Sequence, residues 1–163
     1  MSSETFTTAL FLITAVIAAG VLINAIFPVV YQMSGTFSTS THNADLRIRT
    51  DIAITTYWAS SSSGIVKVWM KNVGTNKISN AELKKSDVYS GPATNIERLT
   101  LGSGTTSGTW NFYVNGDENA DWGIGDTLEI YGTPVNSFGK GEDLYFQYVL
   151  PNGVSRSITF TST

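Results

Sequence analysis

The densest collection of metal-capable side chains in this sequence is the run Asn115-Gly-Asp-Glu-Asn-Ala-Asp-Trp-Gly-Ile-Gly-Asp126. Asp117, Asn119 and Asp121 stand at the i, i+2, i+4 spacing with which a loop offers oxygens to calcium. Two departures separate it from a helix-loop-helix calcium site: Trp122 stands where a glycine should turn the chain, and Glu129 falls one residue past the bidentate position, which is Leu128. The expectation is therefore a calcium ligand set at Asp117, Asn119 and Asp121, or else an acidic hairpin loop closed by Gly123 and Gly125. His42 has Asp45 and Asp51 within a few residues, but the strained nucleophile that a hydrolytic triad needs has no counterpart here, and no G-x-S-x-G occurs. With no cysteine and one histidine, disulfides, zinc sites and thiol chemistry drop out, and no enzyme is expected. Trp69, Trp110 and Trp122 could stack a sugar if exposed; in a β domain such residues more often pack the core.

The elements that carry these residues follow from charge and hydropathy. Glu4 is followed by no charged residue until Asp45, so 22 of the 23 charges lie in the last 119 residues. Two regions result, 1–44 and 45–163. The ten Lys and Arg are scattered on a chain of net charge −3, which excludes a phosphate-neutralising stripe and with it nucleic acid as a partner. From Ala9 to Tyr31 the chain reads ALFLITAVIAAGVLINAIFPVVY. As a helix it would span about 34 Å, enough to cross a hydrocarbon core. No Lys or Arg precedes the run and it exceeds the apolar core of a cleavable signal, so it is expected to be retained.

Uncharged sequence continues to Ala44, and one helix from Glu4 to Ala44 would be on the order of 60 Å long. Gly35 and the Ser34–Thr41 tract oppose that length, and Pro28 predicts a kink or interruption near Asn24. Ala15, Ala18, Ala19 and Gly20 allow close helix approach, and Asn24 in an apolar run wants a polar partner. Together with Pro28 they form the expected helix-packing interface, whose occupants are copies of the chain or other subunits. Arg47 and Arg49, taken literally under the positive-inside rule, place the charged domain inside; a domain of this length translocates largely regardless of so small a count.

Beyond Asp45 the periodicity shortens to that of strands. Seven runs qualify: 52–59, 65–73, 96–101, 109–114, 127–131, 144–150 and 154–161, separated by Gly, Asn and Ser turn signals. In the second, Val66, Val68 and Met70 face one way and Lys67, Trp69 and Lys71 the other. The fold class is therefore α+β, a long N-terminal hydrophobic α-helix followed by an antiparallel immunoglobulin-like β-sandwich. No Asn is followed at i+2 by Ser or Thr, so N-glycosylation is not expected, whereas the Ser/Thr tracts leave O-linked sugars open.

An uncharged helix that starts within ten residues of the N-terminus and feeds a β-sandwich resembles the type IV pilin-like proteins of archaea. Residues 3–52, VWMKNVGTNKIS at 68–79 and WGIGDTLEIY at 122–131 resemble the archaellum G protein, or FlaG, family, accessory components of the archaeal motility machine. The K-N-x-G strand end is shared with archaellins, the filament subunits. A processed archaellin carries a short basic leader before the apolar run, where this sequence reads MSSET, and commonly carries the sequons absent here. The resemblance implies a structural archaellum subunit, with the filament-forming archaellin as the alternative and a membrane-tethered sugar- or metal-binding module as a second. It also implies a membrane-inserted helix before assembly, a β domain outside the cell, and partners among archaellum subunits and cell-envelope proteins.

Overall fold

The computed structural model describes residues 2–163 and divides into two compact units, the first ending at Ala44 and the second being Asp45–Thr163. Helix α1, Ser2–Arg49, runs unbroken for 48 residues, about 72 Å at the α-helical rise. The expected interruption at Pro28 does not occur. A proline costs the helix one donor and crowds the preceding turn, but a long apolar helix holds its remaining bonds on either side. The polar tract also stays helical. Thr36, Thr39 and Thr41 turn their hydroxyls onto the carbonyls of Gln32, Gly35 and Phe37, as Thr14 does onto Leu10, so these side chains are satisfied within the helix instead of competing with it.

The second unit holds eight strands: β1 Ile52–Ser60, β2 Ile65–Asn72, β3 Asp87–Pro92, β4 Glu97–Leu101, β5 Thr109–Val114, β6 Thr127–Thr133, β7 Asp143–Val149 and β8 Ser155–Thr161. A single turn of helix, α2 Asn80–Leu83, precedes β3. The strand order is β1-β2-β6-β5-β4-β3-β7-β8, and β1 and β8 approach each other to leave a nearly closed sandwich. The two ends are tied by the Tyr57–Phe160 ring contact at 4.6 Å and by Thr163, whose N–H donates to the Ala59 carbonyl while Ser61 N–H donates to its own. Trp110 of β5 meets Tyr148 of β7 edge to face at 6.3 Å, although the two strands are not sheet neighbours, so this contact crosses the core.

All pairs are antiparallel except β4 and β5, which run parallel over Thr100↔Thr109 and Leu101↔Trp110. A parallel pair joined by so short a loop needs a tight backbone. Gly104 and Gly108 supply it at φ +73° and +76°, and Gly104 lies so close to the Tyr131 ring that a Cβ would fall 2.5 Å from it. The core is built as the alternation in β2 requires: Val66, Val68 and Met70 are buried with Leu128, Ile130, Phe112, Leu144 and Phe146. Leu83 and Trp122 are wholly buried beside them.

Candidate functional site

Among the described residues the first unit presents no buried apolar side chain. Between Phe6 and Phe37 the least exposed of the large apolar residues, Ile26, is still 49% accessible, and Phe6, Phe11, Val16 and Tyr31 are 70% or more. Exposure of a continuous apolar surface on this scale means that the surface is covered in use, by lipid or by protein. The helix is long and apolar enough to cross a membrane.

The continuous helix sorts the six residues expected to pack. At about 100° per residue, Ala15, Ala18 and Ala19 share one side, while Gly20, Asn24 and Pro28, spaced by four, share the side roughly opposite. The six residues thus form two faces. Nothing within 4 Å meets a Cβ built at Gly20 or Gly35, so neither glycine serves packing inside the chain itself. His42 lies on the exposed helix surface.

The acidic run after β5 is organised by its own turns. Asn115 and Gly116 take φ +49° and +89°, the left-handed pair of a two-residue hairpin turn, and Val114 bridges Asp117 across it. Asp117 Oδ1 accepts the Asn119 N–H at 2.8 Å, while the Asn119 side chain is exposed. Asp121 turns elsewhere: Oδ1 accepts the Asn80 N–H at 2.8 Å and Oδ2 pairs with Lys77 Nζ at 2.9 Å. The Asn80 hydrogen bond, and after it Lys77, hold the Asp121 carboxyl below its ordinary pKa. Among the described residues no three His, Asp or Glu side chains gather where they could hold a metal ion. Asp121 instead ties the acidic loop to the start of α2, whose own N-terminus carries a reciprocal cap between Ser79 and Glu82. The S-x-x-E spacing at 79–82 was the signal that could have announced this turn of helix in the sequence.

The tryptophans separate by burial. Trp110 and Trp122 are core residues at 1% and 0% exposure, and Trp122 Nε1 donates to the Asp126 carbonyl, so neither offers a stacking face. Trp69 stays half-buried on the outer face of β2, and Trp58, which sequence reasoning did not single out, is exposed on β1 opposite Lys67. Near them Lys67 pairs with Glu129 at 3.1 Å, and the Tyr131 and Tyr113 rings stack with their hydroxyls 3.1 Å apart. Burial, then the Tyr113 hydrogen bond, pushes the Tyr131 phenol up to about 12.

Comparison with known proteins places this architecture. A protein of Archaeoglobus fulgidus with no described function is 26% identical over 164 residues, covering 99% of both chains. The archaellum periplasmic stator protein FlaG from Sulfolobus acidocaldarius is similar with a TM-score of 0.57 and 26% identity, over 68% of this chain and 99% of its own. FlaF and FlaG of the same organism, solved as a stator complex, contribute a chain similar with a TM-score of 0.55 and 27% identity, over 67% of this chain and 87% of that one. The archaeal flagellum of Methanospirillum hungatei shares the fold, with a TM-score of 0.54 at 16% identity over 92% of this chain and 91% of its own. This is an archaellum-related structural protein rather than an enzyme. Residues 9–160 match the model of the archaeal-type flagellins, and the chain belongs to that family.

Proposed function

We propose that the protein is an accessory subunit of the archaellum, anchored in the envelope by α1, with its sandwich outside the membrane bracing other archaellum subunits. The observation that carries this reading is the likeness of the sandwich to a periplasmic stator protein across 99% of that protein's chain at 26% identity, whereas the likeness to filament subunits, at 16%, is one of fold. The stator protein it resembles also occurs in complex with a second stator protein, which supports a heterologous partner here. Before assembly α1 sits in lipid. In the assembly its two small-residue faces, Ala15/Ala18/Ala19 and Gly20/Asn24/Pro28, pack against helices of other subunits or of further copies. Asn24 then finds the polar partner that lipid does not supply.

A second reading, the filament-forming archaellin, is favoured by one observation: residues 9–160 match the model of the archaeal-type flagellins. Electron microscopy of sheared native filaments, combined with peptide identification, separates the two. The accessory reading expects the chain in the envelope fraction and at trace levels in filaments; finding it as the dominant filament protein overturns that reading.

A further inference from the structure

The turn after β2 does more than end a strand. Asn72–Asn76 donates four backbone N–H groups to the two carbonyls that flank the exit of α1: Thr75 and Asn76 to Arg49, and Val73 and Gly74 to Asp51, at 2.8–3.2 Å. The end of a helix leaves its last carbonyls without partners inside the helix, and this turn caps the terminal one from outside. The turn is itself held by the wholly buried Asn72. Its Oδ1 accepts the Gly74 N–H, and its Nδ2 donates to the carbonyls of Asn76 and Trp122. Gly74 is needed for the approach: a Cβ there would fall 2.5 Å from Asp51 N and still closer to the Arg49 carbonyl oxygen. From the other side Thr50, 4% exposed, donates through Oγ1 to the Leu46 carbonyl at 2.7 Å and accepts from Asn152 Nδ2 at 2.9 Å and Asn76 Nδ2 at 3.4 Å. Asp51 completes the ring with an ion pair to Arg156.

We propose that the Asn72–Asn76 turn, closed by Gly74 and braced by Thr50 and Asn152, is a socket that locks the last turn of α1 onto the sandwich. A force applied to the sandwich then enters the helix end and is not lost in a swivelling linker. A helix followed by a loose connection has one cap or none, and its neighbouring residues are free to reorient. Here the Arg49 and Asp51 carbonyls are both engaged by the Asn72–Asn76 turn, and the Thr50 hydroxyl between them by Asn76 and Asn152. The inference holds whether the chain braces a filament or builds one, so it stands apart from the proposed function.

The chain has no cysteine, so nitroxide labels at Ile48→Cys, 83% exposed in the last turn, and at the exposed Lys140→Cys report one distance cleanly by pulsed electron paramagnetic resonance of the full chain in detergent micelles. A narrow distribution is expected in this background, and in Gly74→Ala a width greater by at least about twofold. Amides of Thr75 and Asn76 should then exchange about tenfold faster, the change expected when one or two hydrogen bonds are lost, while those of Val68 and Ile130 keep their protection. If Gly74→Ala does not fold, Thr50→Val decides, since it keeps the shape and removes only the hydroxyl. A distribution already broad without these substitutions, or one unchanged by whichever of them folds, overturns the socket.

Discussion

Single residues set what the surfaces can do. Ala19 lies on one small-residue face of α1, and close helix packing tolerates few added methylenes, so Ala19→Phe is expected to abolish assembly while leaving the sandwich folded. Sedimentation of the detergent-extracted complex and the circular dichroism of the β region check the two halves of that statement; normal assembly would place the face against lipid. In the acidic loop, calcium would have to displace Lys77 and the Asn80 N–H from Asp121, so calorimetry with calcium is expected to give no heat. Heat that disappears in Asp117→Asn would restore the ion. The Tyr131 phenol, raised to about 12 chiefly by burial, fixes a sign for alkaline behaviour. Its neutral form is favoured in the folded state, so its support is complete below about pH 10, the unfolded phenol's pKa, and is lost as pH rises through the folded value. Unfolding midpoints should therefore fall between pH 10 and 12. An absorbance component titrating near pH 12 should vanish in Tyr131→Phe.

At the level of elements, much was legible in the sequence. All seven expected strands occur, six of them starting and ending within one residue of the expected limits, while β6 runs two residues further than expected, to Thr133. The eighth, β3, escaped because DVYSGP ends in Gly and Pro, residues that argue against a strand. Pro92 closes the strand at its last position, and Gly91 takes φ +150° where the Asn95 carbonyl comes too close for a side chain, so the local signal ran against a pairing that tertiary contacts enforce. The parallel β4–β5 pair was equally hidden, since pairing direction leaves no mark on hydropathy. Of the candidate site, the residues expected to pack could be named from the sequence, but only a continuous helix through Pro28 shows that they form two faces. The K-N-x-G motif was visible as a resemblance; its physical reason, a glycine pressed against the Arg49 carbonyl, needed coordinates. Because Pro28 does not break α1, Pro28→Ala should keep the full helical signal and raise the thermal midpoint of its loss, as one backbone donor is recovered. A lower midpoint would mean that the carbonyl freed by the proline has a partner the substitution removes.

For the whole molecule, adhesion and solubility reside in different stretches of chain. The large apolar side chains of α1 from Phe6 to Phe37 are all exposed, and 22 of the 23 charges follow Ala44. Assemblies held by such a helix should survive high salt, which strengthens apolar association and screens charge, and should dissolve in detergent. Residues 45–163 alone are expected to be soluble, folded and unable to assemble. Filaments formed by that fragment, or complexes that salt disperses and detergent spares, would show that the sandwich holds the assembly. The strand order has a consequence for the order of synthesis. β2 must wait for β6, β3 for β7, and the approach of β1 to β8 for the last residues of the chain, so few of these pairings can form while the chain is still being made. Pairings this distant are slow to find each other. Helix α1, built from local bonds, precedes every strand and forms at once. The most adhesive segment is thus finished first and the charged domain last, so the helix must be received by a membrane or a chaperone during the interval, or it will associate before its own sandwich exists.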